Sequence, residues 1–149
     1  MISYSYLCMN AIKMPCLQTG EDGIVSAAFD CIGTTDKYYV EFGVEDGTEC
    51  TTRLLRERFG WRGLMMDGSH ENKTINLNKE WMTSSNIVSL FAKHGVPREF
   101  DHMTIDIDLN TLWVMQVSLR ELKLNNDLQR IKCVGKLIRL GALGMRMEG

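Results

Sequence analysis

Three short apolar runs, each stopping at a glycine or an acid, constrain the fold of this chain more than any other feature. Residues 37–43 (KYYVEFG) are aromatic and β-branched and end at Gly43. Residues 62–67 (RGLMMD) stay apolar until Asp67, and residues 100–108 (FDHMTIDID) close on Asp106 and Asp108. Each reads as a strand. Between the first two, residues 48–59 carry Cys50, Leu54, Leu55 and Phe59 as an apolar stripe. Asp46 or Thr48 is available as a cap there and Gly60 as a stop, so a helix is predicted. Residues 75–82 offer a further strand. Ser84 or Ser85 then caps a helix bearing Ile87, Val88, Leu90 and Phe91, closed at Gly95 with Pro97 just beyond. An earlier segment, residues 21–32, has Ile24, Val25, Ala28, Phe29 and Ile32 at helical spacing and ends before Gly33. Strand, helix, strand, strand, helix, strand is the order of an α/β fold: a Rossmann-like parallel sheet with flanking helices.

Composition narrows the class. A length of 149 residues and 44% apolar content suit one globular domain. Two prolines and no repeat period exclude a disordered linker protein and a solenoid. No run of about 18 apolar residues suggests a membrane span, and residues 1–20 lack the charged and apolar regions of a leader. The cytoplasm is the default expectation. Five cysteines without CxxC spacing point to reduced thiols and not to a disulfide framework or zinc site. Residues 1–113 carry ten Lys or Arg against sixteen Asp or Glu, a net −6, whereas residues 114–149 carry seven against three, a net +4. Neither part is basic enough for nucleic acid. Residues 128–143 have helical spacing interrupted by Gly135 and Gly141, and residues 114–120 suit strand or helix equally.

The chemistry gathers where strands end. Glu41 and Gly43 close the first strand, Asp67 the second, Asp106 and Asp108 the last. In open α/β sheets ligands bind outside the carboxyl ends of the strands, and an acid about twenty residues after the first glycine turn is placed to meet a ribose. The loop is E-x-G-x-x-x-G, from Glu41 through Gly43 to Gly47, and it carries Glu45 and Asp46 with Glu49 close behind. A pyrophosphate needs bare amides. Two like charges at about 4 Å cost roughly 1 kcal/mol in water and several times that when partly desolvated. A sulfonium and an ammonium group have the opposite preference, so S-adenosylmethionine suits this loop better than NAD or ATP. Asp106 and Asp108 alternate with Ile105 and Ile107, which puts both carboxylates on one face of a strand. Burying two such groups is costly unless they are paired or bind a cation. His70, His94 and His102 lack metal-ligand spacing; only His70, close behind Asp67, could reach the same cleft. The ten methionines read as core filler.

Three separated segments, YYVEFGVEDGTECTTR, GWRGLMMDGSHEN and MTSSNIVSLFAKHGVPREFDHMTIDID, occur in an order that resembles the FkbM-type methyltransferase-related proteins, in particular an animal branch of them. The resemblance covers residues 20–113 as the N-terminal half of a methyltransferase-like domain, after an N-terminal segment, residues 1–19, and before a divergent basic tail, residues 114–149. It implies a cofactor loop at Glu41, Gly43 and Gly47 and a ribose contact at Asp67. It also implies an adenine contact near Ser85 and Asn86, and a reacting centre bordered by Asp106 and Asp108. Where such proteins continue into further strands, this chain has Leu109 and Asn110 and then the tail. The sheet is therefore expected to be incomplete at its C-terminal end, with the strand at 100–108 left with an unpaired edge that invites self-association. Methyl transfer from S-adenosylmethionine to an oxygen or nitrogen nucleophile of unknown identity is the expected function. The alternatives are a catalytically inactive or truncated α/β interaction domain and a divalent-metal hydrolase using Asp67, His70, Asp106 and Asp108.

Overall fold

A computed structural model of the chain describes residues 21–107 and 110–121. Within them lie helix α1 (Glu21–Ile32), strand β1 (Tyr38–Phe42), helix α2 (Arg53–Phe59), strand β2 (Arg62–Asp67), strand β3 (Leu77–Lys79), helix α3 (Ile87–Lys93), strand β4 (His102–Ile105) and helix α4 (Thr111–Glu121). The four strands form one sheet in the order β3-β2-β1-β4, with every pairing parallel. The fold is α/β with a Rossmann-like parallel sheet, as the strand and helix order predicts.

Helices cover both faces of the sheet because alternate residues of each strand point to opposite sides. Tyr38, Val40 and Phe42 of β1 pack with Leu64 and Met66 of β2, Met103 of β4, Ile87, Leu90 and Phe91 of α3, and Val114 of α4. Tyr39 of β1 and Met65 of β2 face the other way, against Val25 and Phe29 of α1, Leu55 of α2, and Trp61. Every residue of β1 is buried. A central parallel strand covered on both faces is uniformly apolar for this reason, and a lone carboxylate in it, Glu41, needs partners.

Several boundaries differ from the sequence reading, each for a tertiary reason. Helix α2 begins at Arg53, not near residue 48. Asp46 Oδ1 accepts from the Thr48 amide and hydroxyl in a local turn, and the amides of Thr51 and Thr52 are held by Glu41 from β1. The cap is thus supplied across the fold, where no local pattern shows it. Helix α3 begins at Ile87, after Asn86 rather than Ser84 or Ser85. Of residues 75–82 only Leu77–Lys79 form the third strand, since a 3-10 turn, Lys73–Ile75, precedes it. Strand β4 stops at Ile105. Asp106 lies beyond it and is exposed, so the alternation that put Asp106 and Asp108 together on one buried face does not extend to Asp106. Asp108 falls outside the described residues, as does the helical spacing of residues 128–143.

Residues 114–121 are not detached from the domain. Helix α4 crosses the boundary expected at residue 113, with Val114 and Ser118 fully buried. Among the described residues β4 pairs with β1 alone. Its faces are nonetheless covered, by Met103 in the core on one side and His102 and Thr104 buried on the other.

Candidate functional site

The chain leaves β1 for β2 and β3 in one direction, whereas β4 lies on the other side of β1. The topological switch point is therefore between β1 and β4, where open α/β sheets form their ligand crevice at the strands' carboxyl ends. Gly43 and Asp106 meet there. The Asp106 amide donates to Phe42 O at 3.1 Å, and the Gly43 amide donates to Met66 O at 3.0 Å. Gly43 has φ +69°, and a Cβ on it would lie 1.8 Å from the carbonyl oxygen of Asp106. No other residue fits, because both the backbone conformation and the space exclude a side chain. Gly47, at the end of the same loop, also has positive φ, and its missing side chain is replaced by Ile75.

Asp67 at the end of β2 joins two loops. Its Oδ2 accepts the Glu45 amide at 2.9 Å, which holds Glu45 at φ 49° in a conformation that residues with a Cβ adopt rarely. Its Oδ1 accepts the Ser69 amide and hydroxyl at 2.8 and 2.7 Å, the His70 amide at 3.1 Å, and faces His70 Nδ1 at 3.2 Å. Burial alone would push this carboxyl up. The donors on Ser69, His70 and Glu45 outweigh it and hold Asp67 at about 2, ionised throughout the neutral range. A carboxylate oxygen can accept two hydrogen bonds, so Oδ2 keeps one acceptor position.

The other expected site residues divide. Glu41 is buried, and both of its oxygens are engaged: Oε1 by the Thr51 amide and hydroxyl at 2.9 and 2.6 Å, and Oε2 by the Thr52 amide and hydroxyl. It fixes the far end of the glycine loop to β1 from beneath. Asn86 accepts from the Thr83 amide through Oδ1 and donates to Trp81 O through Nδ2, both at under 3 Å. Ser85 is exposed, with its hydroxyl 2.9 Å from that of Thr83. Glu45, Asp46 and Glu49 are all exposed around the loop, as an acidic rim would be. Among the described residues no three His, Cys, Asp or Glu side chains are grouped as a metal would need.

Three features escape a reading of the sequence. Trp81 is 74% exposed at the carboxyl end of the sheet, within the strand read over residues 75–82 but beyond the end of β3. Asp101, 2% exposed, takes the amides of Thr35, Asp36 and Lys37, so its carboxyl clamps the approach to β1 onto the start of β4. His102, Thr104, Thr51 and Glu41 form a buried polar column: His102 Nε2 lies 2.8 Å from Thr104 Oγ1, which lies 3.2 Å from Thr51 Oγ1, which donates to Glu41. The i, i+2 spacing of His102 and Thr104 is the one signal of that column in the sequence. Among the described residues no helix is long and apolar enough to cross a membrane. No family model, curated protein or solved structure matches the chain.

Proposed function

We propose that this chain binds S-adenosylmethionine at the carboxyl ends of β1 and β2, as an FkbM-type methyltransferase-related protein would, and transfers its methyl group to an oxygen or nitrogen nucleophile. One observation carries the reading: the acidic glycine loop is tied by its Glu45 amide to Asp67, an ionised carboxylate with an acceptor position left on Oδ2. That position suits a ribose hydroxyl. The exposed carboxylates of Glu45, Asp46 and Glu49 repel a pyrophosphate and favour a ligand bearing sulfonium and ammonium groups. Gly43 lets the loop leave β1 past the Asp106 carbonyl, which takes the space its side chain would need, at the end of β1 and β4.

The bound donor supplies a methyl carbon made electrophilic by its positive sulfur. The chain supplies position. Asp67 orients the ribose, the acidic rim balances charge, and Ser85 and Asn86 border the base. Asp106, at the mouth of the switch point, takes the proton that the acceptor loses as its lone pair forms the new bond to carbon. With the donor bound, its carbon–sulfur bond would break as the new bond forms, the electron pair staying on sulfur. Holding two reactants in line accounts for the larger part of such catalysis, and a base adds to it.

A catalytically inactive interaction domain is the second reading. The exposure of the Asp106 residue favours it, since a catalytic base is usually shielded from bulk water. Calorimetric titration of the purified chain with S-adenosylmethionine, S-adenosylhomocysteine and NAD tests the cofactor. Binding of the first two alone is expected, and tighter binding of NAD would refute the charge argument.

A further inference from the structure

Trp81 is the most exposed large apolar side chain among the described residues, at 74%, and it stands at the candidate site rather than on a remote surface. The Glu80 amide donates to Asp67 O at 2.8 Å, which sets the segment after β3 beside the end of β2. The benzo edge of the Trp81 indole lies against the next residue, Gly68: a Cβ there would come within 3.0 and 3.2 Å of its Cε3 and Cζ3. Gly68 is thus a glycine that leaves room for this ring. The backbone of Trp81 is held as well, since its carbonyl accepts from Asn86 Nδ2 at 2.7 Å. A flat aromatic surface therefore lies over Gly68, the residue after Asp67, with most of its area in water. Tryptophan is among the residue types enriched at the energetic centres of binding surfaces.

We propose that Trp81 is the base-stacking residue of this site, its indole packing against the purine of an adenosyl ligand whose ribose hydroxyl is accepted by Asp67. The inference rests on the adenosyl-binding reading above and adds the residue that recognises the base. The occupant follows from the pair of groups. A carboxylate with one open acceptor position selects a hydroxyl, and a π surface over the next residue, Gly68, selects a flat heteroaromatic ring linked to that hydroxyl's carbon frame. Stacking is tolerant of which atoms the ring carries, so the contact fixes affinity and ring orientation more than the choice between purines. The acidic rim selects at the other end of the ligand, against phosphates.

The experiment is calorimetric titration of S-adenosylhomocysteine into the wild type, Trp81→Ala and Trp81→Phe, with tryptophan emission recorded in parallel. Trp81→Ala is expected to weaken binding about 5- to 160-fold, the range of losses when a base-stacking aromatic is removed. Trp81→Phe should retain most of the affinity because a flat ring remains. The ligand-induced change in emission should persist in Trp113→Phe and disappear in Trp81→Phe. Trp81 is exposed, so thermal melts of the variants should match the wild type. Wild-type binding with unchanged affinity in Trp81→Ala would overturn the stacking role and leave the adenosyl reading standing. Absence of binding by the wild type would overturn the adenosyl reading itself.

Discussion

Acidification should weaken this fold through His102 before it affects the carboxylates. The ring is 1% exposed and stands edge-on to Phe29, with ring centroids 5.8 Å apart. The hydroxyls of the polar column dictate its tautomer. The single hydrogen of Thr51 Oγ1 goes to Glu41, so Thr104 must donate to Thr51, and His102 must donate its Nε2 hydrogen to Thr104. That leaves Nδ1 as the unprotonated nitrogen, and it has no hydrogen-bond partner among the described residues. A second proton would have to sit there, buried and unbonded, so burial pushes His102 down from 6.5 to about 4. In the unfolded chain the ring takes up that proton freely below 6.5. Stability is therefore complete above about pH 6.5, falls as the pH drops toward about 4, and loses nothing further from this group below that. A gap of this size at roughly 1.36 kcal/mol per pH unit amounts to about 3 kcal/mol, a large share of the 5–15 kcal/mol of a typical domain. Urea denaturation of the wild type and His102→Gln between pH 7.5 and 4 isolates the effect, because their difference cancels the other groups. Asp67, held at about 2, loses its stabilisation only below its ordinary 3.8. The difference in unfolding free energy should shift by about 3 kcal/mol in favour of the variant as the pH falls. A difference constant to within about 0.5 kcal/mol, or a nitrogen-15 spectrum showing the hydrogen on Nδ1, would refute the reasoning.

Two further expectations test the packing that positions the site. Gly43→Ala must move the Asp106 carbonyl out of the way and also strain the loop, so folding should be lost or weakened by more than about 3 kcal/mol in a denaturant titration; a change under about 1 kcal/mol would show that β1 and β4 separate freely there. Val114→Ala removes two buried methyl groups from the core contact of α4 and should cost about 2 kcal/mol, with lowered hydrogen-exchange protection across residues 111–121. Unchanged stability would show that this helix is not part of the cooperative unit.

The strand and helix order was legible in the sequence because it rests on local causes. The apolar runs at β1 and β2 have the length and content of strands buried on both faces, and β2 falls on residues 62–67 as read. The glycines at 43 and 47 and the acid at 67 were legible as a strand-end group, since their spacing is set by one β-α-β passage. Tertiary structure decided what those residues do. Glu41 is typed by sequence as part of a ligand loop, but a carboxylate in a central strand has to be neutralised from whichever element lies over it. Here the amides of Thr51 and Thr52 come to it and begin α2. Asp106 and Asp108 read as a pair on one face only while the strand continues, and β4 stops at Ile105. Trp81 shows the same division. It falls within the strand read over residues 75–82, and its exposure follows from a three-residue β3 and from the Glu80–Asp67 bond after it. Periodicity depends on neighbours three or four residues away, whereas caps, strand ends and exposed rings depend on contacts made across dozens of residues, which no local pattern records.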